Sequence, residues 1–308
     1  MTGQRQQGVA LIKAMLVVAL ATSVAVAMVS RQQFDIRRTG NLLQAEQSEL
    51  YADGVEAWAA QLLRRDREDN KVDHEKEEWA SILPPIPVEG GSVSGHIKDL
   101  SGRFNLNSLV VAGKQEPKAV ARFRRLLQAL ELNPELAMVV ADWLDPDLEP
   151  GYPGGAEDDI YLGREQPYRT ANGPIYSSSE LLLLDGMDAE GFARLQPHVS
   201  ALPVGTKLNV NTATAPVLMS LVEGLGPAEA DALIEGRGEE GYGDVTGFAQ
   251  QEALAGRELE SDILAVESEY FLIVSQIQFG ALTQQRYSVL RRDKKGAASI
   301  LMHAQGSY

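Results

Sequence analysis

Residues 5–30 read RQQGVALIKAMLVVALATSVAVAMVS, and how this stretch is read decides what the rest of the chain can be. From Val9 to Val29 only Lys13, Thr22 and Ser23 interrupt the apolar residues, and about twenty such positions let a helix cross a bilayer. A secretory signal is the rival reading. Arg5 and Lys13 would form its basic head, residues 14–24 its apolar centre, and Ala25-Val26-Ala27 its cleavage site. Periodicity within the run does not separate the two, but the residues beyond it favour a retained helix. No proline occurs from Arg31 to Asp69, and Tyr51, Val55, Trp58 and Leu62 recur at i, i+4, i+7 and i+11. That is one apolar stripe on a helix far longer than the usual ~10–14 residues.

Composition narrows the rest. The chain has 308 residues, 44% hydrophobic and 23% charged, with a formal net charge of -15. This describes a globular protein whose soluble surface repels phosphate backbones and anionic lipid. With no cysteine, disulfides, thiolate nucleophiles and cysteine-ligated metals are excluded. The four histidines, His74, His96, His198 and His303, show no ligand spacing, Ser177 to Ser179 lack a nucleophile elbow, and Gly224-Leu225-Gly226 lacks the third glycine of a dinucleotide loop. No catalytic constellation emerges, and the chain is not expected to be an enzyme.

Beyond the helix, PPIPVEGGS reads as a breaker, and SVSGHIKDLSGRFNLN as one or two short strands. Near the other end, EYFLIVSQIQFG and ALTQQRYSVLRRD alternate in period two around Gly280-Ala281, as a β-hairpin does. Between them lie segments that read mostly as helices, started by Asn133-Pro134, Ser177 to Ser179, Asp188, Thr212 or Thr214, and Gly226-Pro227. FNLNSL at Phe104 and LNVNTA at Leu208 each precede a helical pair, an internal echo too short to establish a duplication.

The strongest local anomaly is ADWLDPDLEPGYPGGAEDDIYLGREQPYRTANGPIYSSSEL. Here Asp142, Asp145, Asp147, Glu149, Glu157, Asp158 and Asp159 gather in a Gly/Pro-rich loop, and Arg164 is the first basic residue. Like charges held together repel, and a hard cation taking about 6–8 oxygen ligands relieves this. Calcium suits such a set better than zinc. The loop is no EF-hand, since counting from Asp145 puts Pro150 at the glycine position and Ala156 at the glutamate position. A solvated acidic loop is the plain alternative.

Gly8 followed by VALI resembles the junction in type IV prepilins and type II secretion pseudopilins, where a dedicated prepilin peptidase cuts after the glycine and the new first residue, here Val9, is N-methylated. The fifth mature residue of that family is normally glutamate. Here it is Lys13, a departure that resembles the K-type minor pseudopilins, which are also larger than their relatives. The resemblance covers nearly the whole chain and implies an α+β, pilin-like fold: a long N-terminal transmembrane and amphipathic helix on an antiparallel sheet, with a large inserted α-helical domain. It divides the chain into a leader (1–8), a transmembrane helix (9–30), a stalk helix with the first strands (31–105), the insertion (106–266), the last strands (267–292) and a tail (293–308).

The resemblance further implies a minor pseudopilin at the tip of the pseudopilus, supporting export of folded proteins across the outer membrane. It would sit in the bacterial inner membrane as a single-pass protein, with most of the chain in the periplasm. Its partners would be the I- and J-type minor pseudopilins, the prepilin peptidase and the inner-membrane secretion platform. The family glutamate neutralises the N-terminal ammonium of a neighbouring subunit inside the filament, which Lys13 cannot do. A subunit with nothing above it escapes that need. D-x-D, GAED and PYRTAN also resemble the family, which binds calcium in its helical domain. This carries a ligand role to Asp145, Asp147, Glu157, Asp158 and Asn172, and extends to Asp159 and Glu180. Charge placement cuts against the implied topology, because Arg31, Arg37 and Arg38 come after the apolar run and only Arg5 precedes it.

Two other readings stay open. One is a released periplasmic binding module with a cleaved signal. The other is a nucleic-acid-binding protein, since LNVNTATAPVLMSLVEGLGPAEADALIEGR resembles a helix–hairpin–helix unit. Glu223, Glu229 and Asp231 around its turn favour a helix pair used for packing, with no nucleic acid bound. The mass of the mature N-terminal peptide discriminates. Cleavage after Gly8 leaves N-methylated Val9, and a bulky or charged residue at Gly8 blocks maturation. A mature protein starting at Met28 would exclude the pseudopilin reading.

Overall fold

The computed structural model describes residues 5–280 and 282–305. Of the leader, residues 1–4 lie outside the described residues, as does Ala281 of the expected turn. The chain divides into two units, Met1–Asp53 and Gly54–Tyr308. Helix α1 (Arg5–Asp69) forms the first unit and supplies the opening turns of the second. In the first unit the apolar side chains from Val9 to Val29 are exposed. Among the described residues one helix, Val9–Asp69 within α1, is long and apolar enough to cross a membrane.

The second unit is built on a five-stranded antiparallel sheet. Its strands β1 (Leu83–Val88) and β2 (Gly91–Asp99) precede the insertion. Strands β9 (Tyr270–Phe279), β10 (Leu282–Arg292) and β11 (Ala298–Gln305) come after it, and the order is β1-β2-β9-β10-β11. The expected hairpin forms, with Phe279 opposite Leu282. Two expectations need correction. PPIPV, read as a breaker, is strand β1, which Pro84, Pro85 and Pro87 can occupy because it is an edge strand with no outer ladder to feed. Residues 293–308, read as a tail, hold β11. Its period-two pattern was masked because Leu301 lies on the exposed side, between half-buried Ile300 and Met302.

The last turns of α1 bury Val55, Ala59, Leu62 and Leu63. Gly95 of β2 has no Cβ for a reason: one would stand 2.8 Å from Val55 Cγ1, so a side chain there would push helix and sheet apart. Two buried ionic contacts fix the register of helix on sheet. Glu56 meets Arg286 at 2.7 Å and accepts from the Ser288 hydroxyl. Arg292, 2% exposed, bonds Asp66 (2.8 Å), Asp73, the Leu63 carbonyl (3.0 Å) and the Ser268 carbonyl (3.1 Å), and lies over the Phe271 ring.

The insertion runs from the end of β2 to the start of β9 and consists of two stretches with the same bonding plan. In the first, β3 (Phe104–Asn105) pairs in parallel with β6 (Val199–Ser200). Between them stand a small hairpin of β4 (Val110–Val111) and β5 (Lys114–Gln115), then α2 (Pro117–Ala129), α3 (Leu136–Leu144), α4 (Asp158–Leu162) and α5 (Ala189–Leu195). In the second, β7 (Leu208–Asn209) pairs in parallel with β8 (Leu264–Ala265) around α6 (Ala215–Leu221), α7 (Pro227–Glu235) and α8 (Val245–Ala249).

The echoed asparagines do the same work in both. Asn107 clamps the backbone of Ile175, accepting from its N–H and donating to its carbonyl, both at 2.9 Å. Asn211 clamps Tyr242 in the same way, at 2.7 and 3.1 Å. Two residues further on, Ser177 and Asp244 each cap a helical turn. The turn after Ser177, read as an α-helix from SSSELLLL, is a 3-10 helix closed by the Ser177–Glu180 capping box. The echo is thus a repeated bonding pattern, and both stretches share one core that includes Phe123, Leu127, Val140, Trp143, Leu218, Leu233 and Phe248.

Replacing Arg292 by leucine leaves Asp66 and Asp73 without their cation. Removing one member of a buried ion pair costs about 3–5 kcal/mol. Denaturant unfolding of the variant should show a loss of that order, while the exposed Arg64–Glu68 pair, removed as a control, should change stability by under ~1 kcal/mol.

Candidate metal site

The acidic loop begins where α3 ends. Leu136, Ala137, Val140, Ala141 and Trp143 bury this helix so thoroughly that its C-terminal Asp142 and Asp145 are carried into the interior with it. Asp142 is fully buried and staples the loop: its carboxylate accepts from Gly151 N–H (2.9 Å) and from Gln115 Nε2 (3.2 Å). Gly155 lies so close that a Cβ would stand 2.1 Å from Asp142 Oδ2. Only glycine permits that approach.

The staple brings carboxylates together. Oxygens of Asp145, Asp147 and Glu157 lie within 4.8 Å of one another, with Asp145 3% and Glu157 2% exposed. Asp145 uses one oxygen to accept from Gln115 Nε2 (3.0 Å), and Glu157 one to accept from the Thr170 hydroxyl (3.1 Å). Asp145 Oδ1 and Glu157 Oε1 are buried with no hydrogen-bond donor, and so is Asn172 Oδ1. Asn172 is tied to the same place, since its Nδ2 donates to the Asp147 carbonyl at 3.1 Å and its backbone is left-handed, φ 45°. Buried acceptors without donors are rare and costly.

The remaining expected ligands stand apart from this cluster. Asp158 accepts from the Thr170 N–H and hydroxyl, both at 3.1 Å, and faces Arg169 at 3.7 Å. Asp159 is exposed in the first turn of α4. Glu180 accepts from the Tyr176 N–H (2.7 Å) and the Ser177 N–H (3.2 Å) as part of its capping box. Sequence reading missed Asp142 as the staple and Gln115 as the donor shared with Asp145. The signal for the first is its i, i+3 spacing from Asp145 on one buried helix. Gln115 comes from the β4–β5 hairpin, and nothing local in the sequence points to it.

Burial raises three carboxyls of this loop. Burial, with Asp145 and Asp147 close by, pushes Asp142 up to about 6. Burial, with Asp142, Asp145 and Asp147, pushes Glu157 up to about 7, and Asp145 is raised by burial too. A second three-carboxylate cluster, Asp66, Asp73 and Glu77, also has oxygens within 4.8 Å of one another, and there the Arg292 guanidinium sits on Asp66 and Asp73. Among the described residues neither cluster includes a histidine. Hard oxygen donors, unpaired acceptors and raised carboxyls together suit a hard divalent cation.

The helix–hairpin–helix-like pair is α6–α7. The Gly226 N–H that would face a phosphate is taken by the Glu229 carboxylate at 2.8 Å, and Glu229 is paired with Arg257. The turn has supplied its own anion.

A long apolar-to-amphipathic helix on an antiparallel sheet, with a helical domain inserted between neighbouring strands, defines a pilin-like protein of the large, insertion-bearing kind. The comparisons make the class specific. Models described as "Type II secretion system (T2SS), protein K" match residues 102–204 and 208–267, the two stretches of the insertion. Type II secretion system protein K of Pseudomonas aeruginosa is 39% identical, covering 98% of this chain and 93% of that one. The Klebsiella pneumoniae protein is 35% identical, covering 94% and 93%. A chain in the crystal structure of the GspK-GspI-GspJ complex from the enterotoxigenic Escherichia coli type 2 secretion system superposes with a TM-score of 0.78 at 28% identity, covering 88% of this chain and all of that one. The chain belongs to the type II secretion system protein K family.

The raised carboxyls set a pH dependence with a definite sign. A folded-state pKa above the unfolded value means that the folded form holds its proton more tightly. Stability from Glu157 is therefore fully present below about 4.5 and is lost as pH rises through about 7. Without divalent metal, melting temperature should fall between those values. Glu157→Gln, which cannot ionise, should flatten that slope, and an unchanged slope would remove Glu157 as its source.

Proposed function

We propose that this chain is the tip subunit of the pseudopilus of a type II secretion machine. It is anchored by residues 9–30 in the inner membrane with Gly54–Tyr308 in the periplasm, and it helps to start or cap the filament that supports export of folded proteins. The observation that carries the reading is the likeness, along nearly the whole chain, to a subunit solved in complex with two others. It makes the I- and J-type minor pseudopilins the partners.

Lys13 supports the tip position. A lysine cannot neutralise the ammonium of a subunit above, and beside that ammonium it adds repulsion in a low-dielectric filament core. The large helical insertion supports it too, as a block that would obstruct further stacking. The role is one of assembly, with no reaction assigned to the chain. In membranes, crosslinking should recover one copy of this chain with one of each partner, and Lys13→Glu should preserve anchoring while permitting incorporation below the tip. Native protein crosslinked repeatedly along filament shafts would overturn the assignment.

The same reading includes calcium at the acidic loop, with Asp145, Asp147, Glu157 and Asn172 as the ligands the geometry favours. Asp158, Asp159 and Glu180 enter by resemblance alone. The ion would neutralise the clustered carboxylates and fix the loop to the end of α3. A ligand that binds only the folded state adds about 2.7 kcal/mol at a hundredfold excess over Kd. Thermal unfolding should therefore shift upward with calcium relative to chelator, and Asp145→Asn with Glu157→Gln should abolish the shift. Trp143, whose ring stands 5.4 Å from Tyr161 of α4, offers fluorescence as a second readout. Coincident melting curves for native protein would return the loop to a solvated surface.

A further inference from the structure

The part of α1 just past the apolar run carries a charge pattern that filament assembly does not explain. Arg31, Phe34 and Arg38 lie at i, i+3 and i+7 and share one helix face, with Arg37 adjoining it. All four are exposed, Phe34 at 78%. Asp35 is the one acid between Arg31 and Ala45, in a chain whose net charge is -15.

Depth gives the pattern its meaning. At ~1.5 Å per residue, Val9–Val29 spans ~31 Å, which matches the ~30 Å hydrocarbon thickness of a bilayer. Lys13 then lies near one boundary and Arg31 emerges at the other. Arg37 and Arg38 stand ~10 Å beyond Arg31 along the axis, where long side chains can bend back to headgroup level. Phe34 projects its ring into the same zone. Basic residues ordinarily gather on the cytoplasmic flank of a span. In the proposed topology the arginines stand on the opposite flank, where a local anionic ligand would offset that placement.

We propose that Arg31, Arg37 and Arg38 form a collar that binds the phosphate groups of anionic phospholipids in the leaflet opposite Lys13. Guanidinium forks match phosphate oxygens in paired hydrogen bonds. A carboxylate of a neighbouring subunit is the competing ligand. The position at headgroup depth and the flanking exposed Phe34 favour lipid. The collar rests on the membrane-anchored reading, and the two fail in different experiments. A mature N-terminus at Met28 removes the span, whereas lipid selectivity is measured on protein that retains it.

The test is native mass spectrometry of the full mature chain released from micelles holding equal phosphatidylglycerol and phosphatidylcholine. Each arginine near an anionic surface is worth roughly fivefold in binding. The native chain should therefore retain phosphatidylglycerol at least ~tenfold over phosphatidylcholine, Arg31→Gln/Arg37→Gln/Arg38→Gln should lose the preference, and Lys13→Gln should keep it. Glutamine preserves helix propensity, and unchanged melting of Gly54–Tyr308 confirms that the variant is folded. Equal retention by the native chain, or native-like preference in the triple variant, overturns the proposal. So does displacement of the lipid by inorganic phosphate, which would make free phosphate the ligand. A triple variant that keeps its lipids and loses its partner subunits would make the arginines protein contacts, and that also overturns it.

Discussion

Carboxylates packed closely inside a protein must be neutralised, and this fold meets that constraint twice. At the root of the sheet, Asp66 from α1 and Asp73 from the turn after it converge on Arg292 at the end of β10, which also takes the carbonyls of Leu63 and Ser268. Helix end, sheet and the exit of the insertion therefore share one guanidinium. Burial pushes Asp66 up to about 7 and raises Asp73, against the pull of Arg292. The cluster therefore spends much of its Coulomb attraction on its own desolvation and serves mainly to fix geometry.

At the end of α3 the same problem arises without an internal cation. The two stretches of the insertion show where the loop comes from. After the helix pair, the second stretch passes directly through residues 236–241 to Tyr242, the residue clamped by Asn211. The first makes the longer excursion 145–174 before reaching Ile175 and its clamp by Asn107. The acidic loop is thus an elaboration held at both ends by a shared scaffold, α3 on one side and the asparagine clamp on the other. Its ends are fixed by the protein alone, and that lowers the cost of ordering the residues between them.

Legibility depended on how local each signal was. The long helix and the β9–β10 hairpin were plain, because an apolar run and a period-two alternation are written in adjacent residues. Strand β1 was obscured because three prolines argue against a strand everywhere except at an edge, and edge position is a property of the whole sheet. Strand β11 was obscured because Leu301 sits on its open side. Within the site, charge density marked the acidic loop as a whole, and the expectation that Asp145, Asp147 and Glu157 are ligands came from the family resemblance. Charge density also drew in Asp158 and Asp159, whose side chains the backbone turns elsewhere, and it could not reveal Gln115, which arrives from another hairpin.

The insertion leaves the sheet after Asp99 and returns at Tyr270, and Asp99 stands opposite Phe271 on the directly paired neighbours β2 and β9. Its two ends are thereby short-circuited by a ladder of hydrogen bonds. A push or pull delivered along the last turns of α1 passes through Glu56 to Arg286 and through Asp66 to Arg292, both on β10, and spreads across β9 to β2 in shear. The helical domain touches that path at its exit, where the Ser268 carbonyl accepts from Arg292. The acidic loop at the end of α3 makes none of those contacts, so its sequence can diverge without weakening the strut beneath it.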